Sequence, residues 1–122
     1  MKLEVLKQEF CVCKLADFSQ VNWEETFVFP AKTDQEYSLV CEEHAVPESA
    51  VQIERGWKGM RIAGQLAFSM VGVLANLASV LAQEKISIFV VSTYDTDYLF
   101  VKKESLAAAV CRLTEEGHLI SE

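Results

Sequence analysis

The chain has 122 residues, of which 51% are hydrophobic and 24% charged, a balance typical of a folded globular domain and not of a disordered segment. Its formal net charge is −7, and no Lys/Arg cluster is longer than Lys102-Lys103, which argues against binding to nucleic acid or to an anionic membrane. No apolar stretch is long enough to span a bilayer, and the first ten residues lack the apolar core of a signal peptide, so we expect a cytoplasmic protein.

The first half of the chain shows strand and loop patterns. Leu3 to Leu15 is predicted to form one strand or two strand segments, and the polar stretch from Asp17 to Glu25 a loop or a single helical turn. A hairpin is predicted from Phe27 to Glu42, with its turn at Thr33 to Glu36. Pro30 indicates that the first strand of this hairpin lies at an edge or ends there.

Four cysteines stand at positions 11, 13, 41 and 111. Cys11 and Cys13 are two residues apart, so on a strand both would point to the same face, where they could bind a soft metal or oxidise. Neither a second close pair nor a neighbouring histidine completes a zinc site. We therefore interpret Cys11 and Cys13 as small buried thiols and expect no metal and no cofactor.

The second half alternates between strand and helix patterns. Trp57 to Ala63 is predicted to form a strand. The segment from Met70 to Gln83 has apolar residues three to four apart and is predicted to form a helix, with Ser69 as its N-cap. A second helix is expected from Ser105 to Leu113, followed by Gly117 as its C-cap and a last short strand at residues 118–120.

Between these helices, the stretch from Ile86 to Lys102 predicts a second hairpin. Two β-branched and aromatic runs flank the polar segment from Thr93 to Asp97. The aspartates and threonines of this segment could serve turn formation alone, because their side chains bond to nearby backbone groups. Alternatively, a carboxylate and a hydroxyl at the end of a sheet could line a ligand pocket.

The order from Trp57 onward is β-α-β-β-α-β, which predicts an α+β, ferredoxin-like fold with both helices on one face of an antiparallel sheet. The hairpin from Phe27 to Val40 is similar in sequence to the hairpin from Phe89 to Val101. The segment that precedes the first hairpin is shorter than the corresponding segment before the second, by about the length of one helix. We therefore predict a tandem duplication whose reduced first half, residues 1–55, lacks its first helix and whose complete second half is residues 56–122.

Three short motifs make the chain resemble the ACT-domain family, specifically the small tandem-ACT proteins and the CASTOR-type arginine sensors. They are Glu54-Arg55-Gly56-Trp57, the Phe68-Ser69-x-x-Gly72 segment before the first helix, and the hairpin motif Ser92-Thr93-Tyr94-x-Thr96-Asp97. The resemblance implies a regulatory module that binds a small ligand, usually an amino acid, between ACT units. It also implies a homodimer. The arginine-binding relatives have acidic residues where this chain has Ser69 and Met70.

Carried over by position, the resemblance implies ligand-binding residues in two segments, namely Ala67, Phe68, Ser69, Met70, Val71 and Gly72 before the helix, and Thr93, Tyr94 and Asp97 in the hairpin. Free N–H groups at a helix start suit a carboxylate, Gly72 would allow close approach, and Asp97 could pair with an ammonium group. Structural roles are equally open: Ser69 as a simple cap, Gly72 as clearance for helix packing and Tyr94 as partial core.

Four function classes follow from these patterns. The leading hypothesis is a non-enzymatic amino-acid sensor, and the alternative is an ACT-type assembly or dimerisation module with a degenerate ligand site. Catalysis is disfavoured because the two histidines, His44 and His118, fall in a turn and a terminal strand, without a nucleophile motif or a glycine-rich phosphate loop. A ferredoxin-like metal chaperone is disfavoured because Cys11 and Cys13 lie within a strand.

Overall fold

The computed structural model describes residues 1–63 and 72–122. In chain order its elements are β1 (Lys2–Leu15), β2 (Val28–Lys32), β3 (Tyr37–Glu42), a 3-10 turn (Glu43–Ala45), β4 (Gln52–Ile62), α1 (Val73–Gln83), β5 (Ile88–Ser92), β6 (Asp97–Lys102), a second 3-10 turn (Lys103–Ser105), α2 (Leu106–Glu115) and β7 (Leu119–Ser121). None of the described helices is both long enough and apolar enough to cross a membrane.

These elements form two compact units. The helical unit consists of Met1–Lys7 and Lys58–Glu122, and the strand unit consists of Gln8–Trp57. Strands β1 and β4 contribute one end to each unit.

In the helical unit, the sheet order is β7-β1-β4-β6-β5. Strand β7 is parallel to β1, and β5 is antiparallel to β6. The element order from β4 to β7 is β-α-β-β-α-β, so the predicted ferredoxin-like α+β fold is confirmed.

The core of the helical unit lies between the sheet and the two helices. Alternate residues of three strands point to the same face, as the two-residue period of a strand requires. They pack with one stripe of each helix in a single buried cluster, made of Leu3, Val5, Met60, Ile62, Leu77, Val80, Leu81, Leu99, Val101, Ala109 and Leu113. The predicted helix periodicity therefore identified the buried face of α1 and α2.

Each of the two helices is followed by a residue with positive φ, which ends the helix. Gly117 has φ 93° after α2, and the N–H of His118 bonds to the carbonyl of Leu113 at 3.1 Å. Gly117 thus ends the helix as predicted. After α1, the same role falls to Lys85 with φ 59°, a conformation that costs a non-glycine residue strain.

The described part of α1 begins at Val73, with Gly72 at its N-cap position. The predicted start at Met70 and the predicted cap Ser69 lie outside the described residues. Gly72 has φ 84°, and a β-carbon there would meet no atom of the described chain within 4 Å. The backbone conformation therefore favours glycine here, and the described residues make no close packing contact that would need the clearance.

In the strand unit, the sheet order is β2-β3-β1-β4. Its smaller core consists of Cys11, Cys13, Leu15, Val21, Leu39 and Cys41. Aromatic side chains support the loop between β1 and β2, since Phe18 packs edge-on against Trp23 and Tyr37, with ring centroids 6.2 and 5.1 Å apart. Pro30 lies in β2, the edge strand, as predicted.

Cys11 and Cys13 are buried free thiols, as predicted, and Cys41 is a buried free thiol beside them. Burial raises the pKa of Cys11, whereas the hydrogen bond between Cys13 and Cys41 lowers the pKa of Cys13 and raises that of Cys41. The fourth cysteine, Cys111, is an exposed thiol on α2.

Candidate functional site

The turn between β5 and β6 is built by two threonines. The N–H of Thr93 donates to the carbonyl of Thr96 at 2.9 Å, and the Thr93 hydroxyl donates to the same carbonyl at 3.1 Å. The buried hydroxyl of Thr96 donates to the carbonyl of Ile62 at 2.9 Å, which fixes the turn to the end of β4. The predicted turn chemistry is therefore present, and it holds the turn in one position.

A cavity of about 340 Å³ lies beside this turn within the helical unit. Its walls come from β1, from the end of β4, from the turn and from β6, through Glu4, Arg61, Ile62, Thr93, Asp95, Thr96 and Tyr98. Charged groups of both signs thus line one small space, at the end of a sheet where the backbone is fixed.

Arg61 is the cation of this cavity. Its Nε lies 3.4 Å from Oε1 of Glu4, and its guanidinium lies 5.8 Å from the centre of the Tyr98 ring. The hydrogen bond with Tyr98, and then that with Glu4, raises the pKa of Arg61 above its ordinary value. These contacts hold the planar guanidinium in place, which favours two-point recognition of a carboxylate.

The structure places the described members of the predicted site at different points of the hairpin. Thr93 lines the cavity. Tyr94 is 79% exposed at the tip of the turn, so its interpretation as partial core is wrong. Asp97 accepts a hydrogen bond from the Ser92 hydroxyl at 2.5 Å, and neither Asp97 nor Gly72 is among the residues that line the cavity.

The other predicted site residues lie outside the described part of the chain. These are Ala67, Phe68, Ser69, Met70 and Val71.

Sequence reasoning missed the charged groups of the cavity, namely Glu4 and Arg61 on the strands and Asp95 in the turn, and it also missed the phenol of Tyr98. A signal for Arg61 was present, because a lone arginine in the Trp57 to Ala63 strand alternates with the buried Met60 and Ile62. Glu4 could not be found in this way, since its partner Arg61 stands 57 positions later in the chain. Their contact depends on the pairing of β1 with β4.

Comparison with known proteins agrees with this fold. The family model of the ACT domain matches residues 52–115, slightly more than half of the chain. A crystal structure of a protein from Agobacterium tumefaciens is 30% identical, with a TM-score of 0.86, and the match covers 98% of this chain and 90% of that one.

Two less similar structures share the fold. A protein of unknown function from Vibrio cholerae, titled a possible transport protein, is 23% identical over 93% of this chain and 88% of that one, with a TM-score of 0.69. The regulatory subunit of aspartate kinase from Thermus thermophilus, in its ligand-free form, is 9% identical over 93% of this chain and 95% of that one, with a TM-score of 0.66. The comparison with curated proteins gave no significant match.

Proposed function

Because the chain belongs to the ACT-domain family, we propose that it is a non-enzymatic regulatory protein that binds a free amino acid at an interface between ACT units. The observation that carries this proposal is the cavity beside the β5–β6 turn, where Arg61 and the carboxylates of Glu4 and Asp95 line the same space. An α-amino acid carries a carboxylate and an ammonium group on one carbon, so a cavity with both charge signs suits it.

The roles in this proposal follow from the geometry of each group. Arg61, held by Glu4 and Tyr98, would bind the ligand carboxylate, and Asp95 in the exposed turn would bind the ammonium group. Charge-assisted hydrogen bonds of this kind are worth roughly 1.5–3 kcal/mol. Residues 67–72 stay candidates for one side of the ligand site, and Tyr94 and Asp97 stay candidates, with Thr93, for the other side.

We also propose that the chain is a tandem duplication, which the two hairpins support. The β2–β3 pairing runs from Val28 opposite Cys41 to Lys32 opposite Tyr37, and the β5–β6 pairing follows the same register with every residue 60 positions later. A three-residue 3-10 turn follows each hairpin at the same offset. The two hairpins therefore agree in strand lengths, in pairing register and in turn length. Two unrelated hairpins would not need to agree in all three.

The strand orders support the duplication as well. Read across the sheet, the strands of the strand unit lie in the order β4, β1, β3, β2. These are the fourth, first, third and second strands along the chain. Strands β4 to β7 of the helical unit have the same order, except that the first end of β1 lies between β7 and β4. In the strand unit a loop replaces the first helix and the 3-10 turn Glu43–Ala45 stands where α2 would begin.

Calorimetric titration with each of the twenty common amino acids tests the binding proposal. We expect saturable heat from one amino acid or one group of related amino acids. Asp95→Asn and Arg61→Gln should each weaken that binding about tenfold or more, which is the loss of roughly 1.4 kcal/mol or more from a charge-assisted bond. Asp34→Asn, the same change in the turn of the other hairpin, is the matched control and should leave the affinity unchanged.

The alternative is an ACT-type assembly module that dimerises without a ligand. It is favoured by β5, the last strand in the sheet order of the helical unit, whose sequence Ile-Phe-Val-Val-Ser has no charge or proline that would block pairing with a second copy. Light scattering separates the two proposals. A pure assembly module would form the same dimer in wild type and in Asp95→Asn, and no amino acid would change its stability or give heat. Homodimerisation and a cytoplasmic location stay predictions.

A further inference from the structure

Three side chains with metal-ligating atoms meet in the strand unit. Glu25 lies in the loop between β1 and β2, Glu42 is the last residue of β3, and His44 lies in the 3-10 turn that follows. One carboxylate oxygen of each glutamate and one ring nitrogen of the histidine lie within 4.8 Å of one another. Nε2 of His44 contacts Oε1 of Glu25 directly.

Glu42 is the unusual member of this cluster. Its side chain is buried, with only 9% of the residue exposed. No hydrogen bond or ion pair joins its carboxylate to another residue of the described chain. A buried carboxylate normally has a partner, because desolvation of an uncompensated charge is costly. Within the described chain, the ligand-bearing groups that lie beside the Glu42 carboxylate are those of Glu25 and His44.

The site is open to solution on one side. The side chain of His44 is 67% exposed, and a cavity of about 440 Å³ lies beside it, lined by Gln8, Glu9, Glu42, Glu43 and His44. An ion could therefore reach the buried carboxylate without opening of the core.

From this geometry we propose that Glu25, Glu42 and His44 bind a divalent transition-metal ion of the zinc class. One imidazole nitrogen and two carboxylate oxygens suit Zn²⁺ better than Mg²⁺ or Ca²⁺, which prefer oxygen ligands alone. Three protein ligands leave a fourth position of the tetrahedron for water. Metal–ligand bonds of about 2.0–2.1 Å place tetrahedral ligands about 3.3 Å apart, so small rotations of the exposed His44 side chain and the half-buried Glu25 side chain would close the site.

Metal binding would have a structural consequence in the strand unit. The ion would join the loop that carries Glu25 to the end of β3, across a unit whose residues 8–57 are all described and include no α-helix. Such a link offsets the small core of six buried residues, as structural zinc does in other small domains.

Titration of the tag-free, chelator-treated full chain with ZnCl₂ tests the proposal, with calorimetry and thermal unfolding as readouts. We expect one equivalent of Zn²⁺ to bind and the Tm to rise with zinc concentration. His44→Ala, Glu25→Gln and Glu42→Gln should each weaken zinc binding tenfold or more. Glu43→Gln, a neighbour that lines the same cavity but is not in the cluster, is the matched control and should bind as wild type does.

Glu42→Gln gives a second readout that does not depend on zinc. Because the Glu42 carboxylate has no hydrogen bond or ion pair in the described chain, the substitution removes no such contact, and the metal-free variant should be about as stable as metal-free wild type. A Glu42→Gln variant that is folded and binds zinc as wild type does would overturn the proposal. An unaltered zinc affinity in His44→Ala would also overturn it, because it would assign the ion to the buried thiols. The proposal would equally fail if wild type showed no saturable zinc binding.

Discussion

The two hairpins of this chain have the same backbone and different chemistry at their turns. Both turns begin with a threonine whose side chain bonds to the local backbone, Thr33 in β2–β3 and Thr93 in β5–β6. At the fourth position, Thr96 is buried and bonds to the carbonyl of Ile62, whereas its counterpart Glu36 is exposed and bonds to Ser38. The same register therefore gives one turn fixed against a neighbouring strand and one turn in solvent.

The residue pair next to each turn differs in the same way. Lys32 lies opposite Tyr37 with its ammonium 5.4 Å from the ring centre, and the equivalent pair in β5–β6 is Ser92 and Asp97, joined by a hydrogen bond. The two hairpins therefore share register and turn length, and they differ in the side chains at the turn, which determine the proposed ligand site at β5–β6. The predictions below use equivalent positions as matched controls.

The largest expected effect compares Leu99 with Leu39, equivalent core residues that are 0% and 1% exposed. Leu99→Ala should lower the free energy of unfolding by about 3–5 kcal/mol, because the cavity would open between a sheet and two helices. Leu39→Ala should cost about 2–3 kcal/mol, because the smaller core of the strand unit can relax around the cavity. Urea denaturation followed by circular dichroism measures both, and a larger loss for Leu39→Ala would contradict the comparison.

Thr96→Val is expected to have the next largest effect. The substitution keeps the shape of the side chain but leaves the carbonyl of Ile62 without its hydroxyl donor, at a cost of about 1–3 kcal/mol of unfolding free energy. At the equivalent solvated position, Glu36→Gln should change that free energy by less than about 0.5 kcal/mol. Equal effects at the two positions would show that the β5–β6 turn is not fixed by this bond.

The first threonine of each turn should contribute equally. Thr33→Ala and Thr93→Ala each remove side-chain bonds to the turn backbone and should each cost about 0.5–1 kcal/mol. Thermal unfolding of the two variants beside wild type measures the cost. A loss confined to Thr93→Ala would weaken the view that the turns are duplicated structures.

The smallest expected effect is a pH dependence that arises in the helical unit. Burial lowers the pKa of His118 below its ordinary value of 6.5. The unfolded chain therefore takes up the proton more readily, so stability should rise with pH through the region below pH 6.5 and be lost as the pH falls. In His118→Gln, unfolding midpoints measured between pH 5 and 7 should depend less on pH than in wild type. An unchanged slope would exclude His118 as the cause.

Most of the secondary structure of the chain was accessible from the sequence because apolar periodicity is a local signal. The three-to-four spacing of Leu74, Leu77 and Leu81 predicted a helix, and alternation around Leu99 predicted a strand. The N-cap position of Gly72 was less accessible, since it follows from a positive φ that the sequence does not show. The proposed repeat was visible only approximately: the two hairpins pair with an offset of 60 residues, whereas the sequence match of Phe27 with Phe89 implies an offset of 62.

The sites were less accessible because they depend on distant pairing. Arg61 meets Glu4 only after β1 lies beside β4, and Glu25 meets His44 only when the loop after β1 reaches the end of β3. In sequence, Glu42 and Glu43 both look like solvated charges. The structure distinguishes them, because Glu42 is buried as the last residue of β3 whereas Glu43 begins the 3-10 turn and is exposed.

Chemical-shift mapping by ¹⁵N NMR, during titration with the amino acid that gives the most heat, tests the central claim most directly. The largest saturable shifts are expected at Arg61, Thr93, Asp95 and Thr96, while the equivalent turn from Thr33 to Glu36 stays unchanged. Shifts centred on the β2–β3 turn, or no saturable shift with any of the twenty amino acids, would contradict a ligand site at the β5–β6 hairpin.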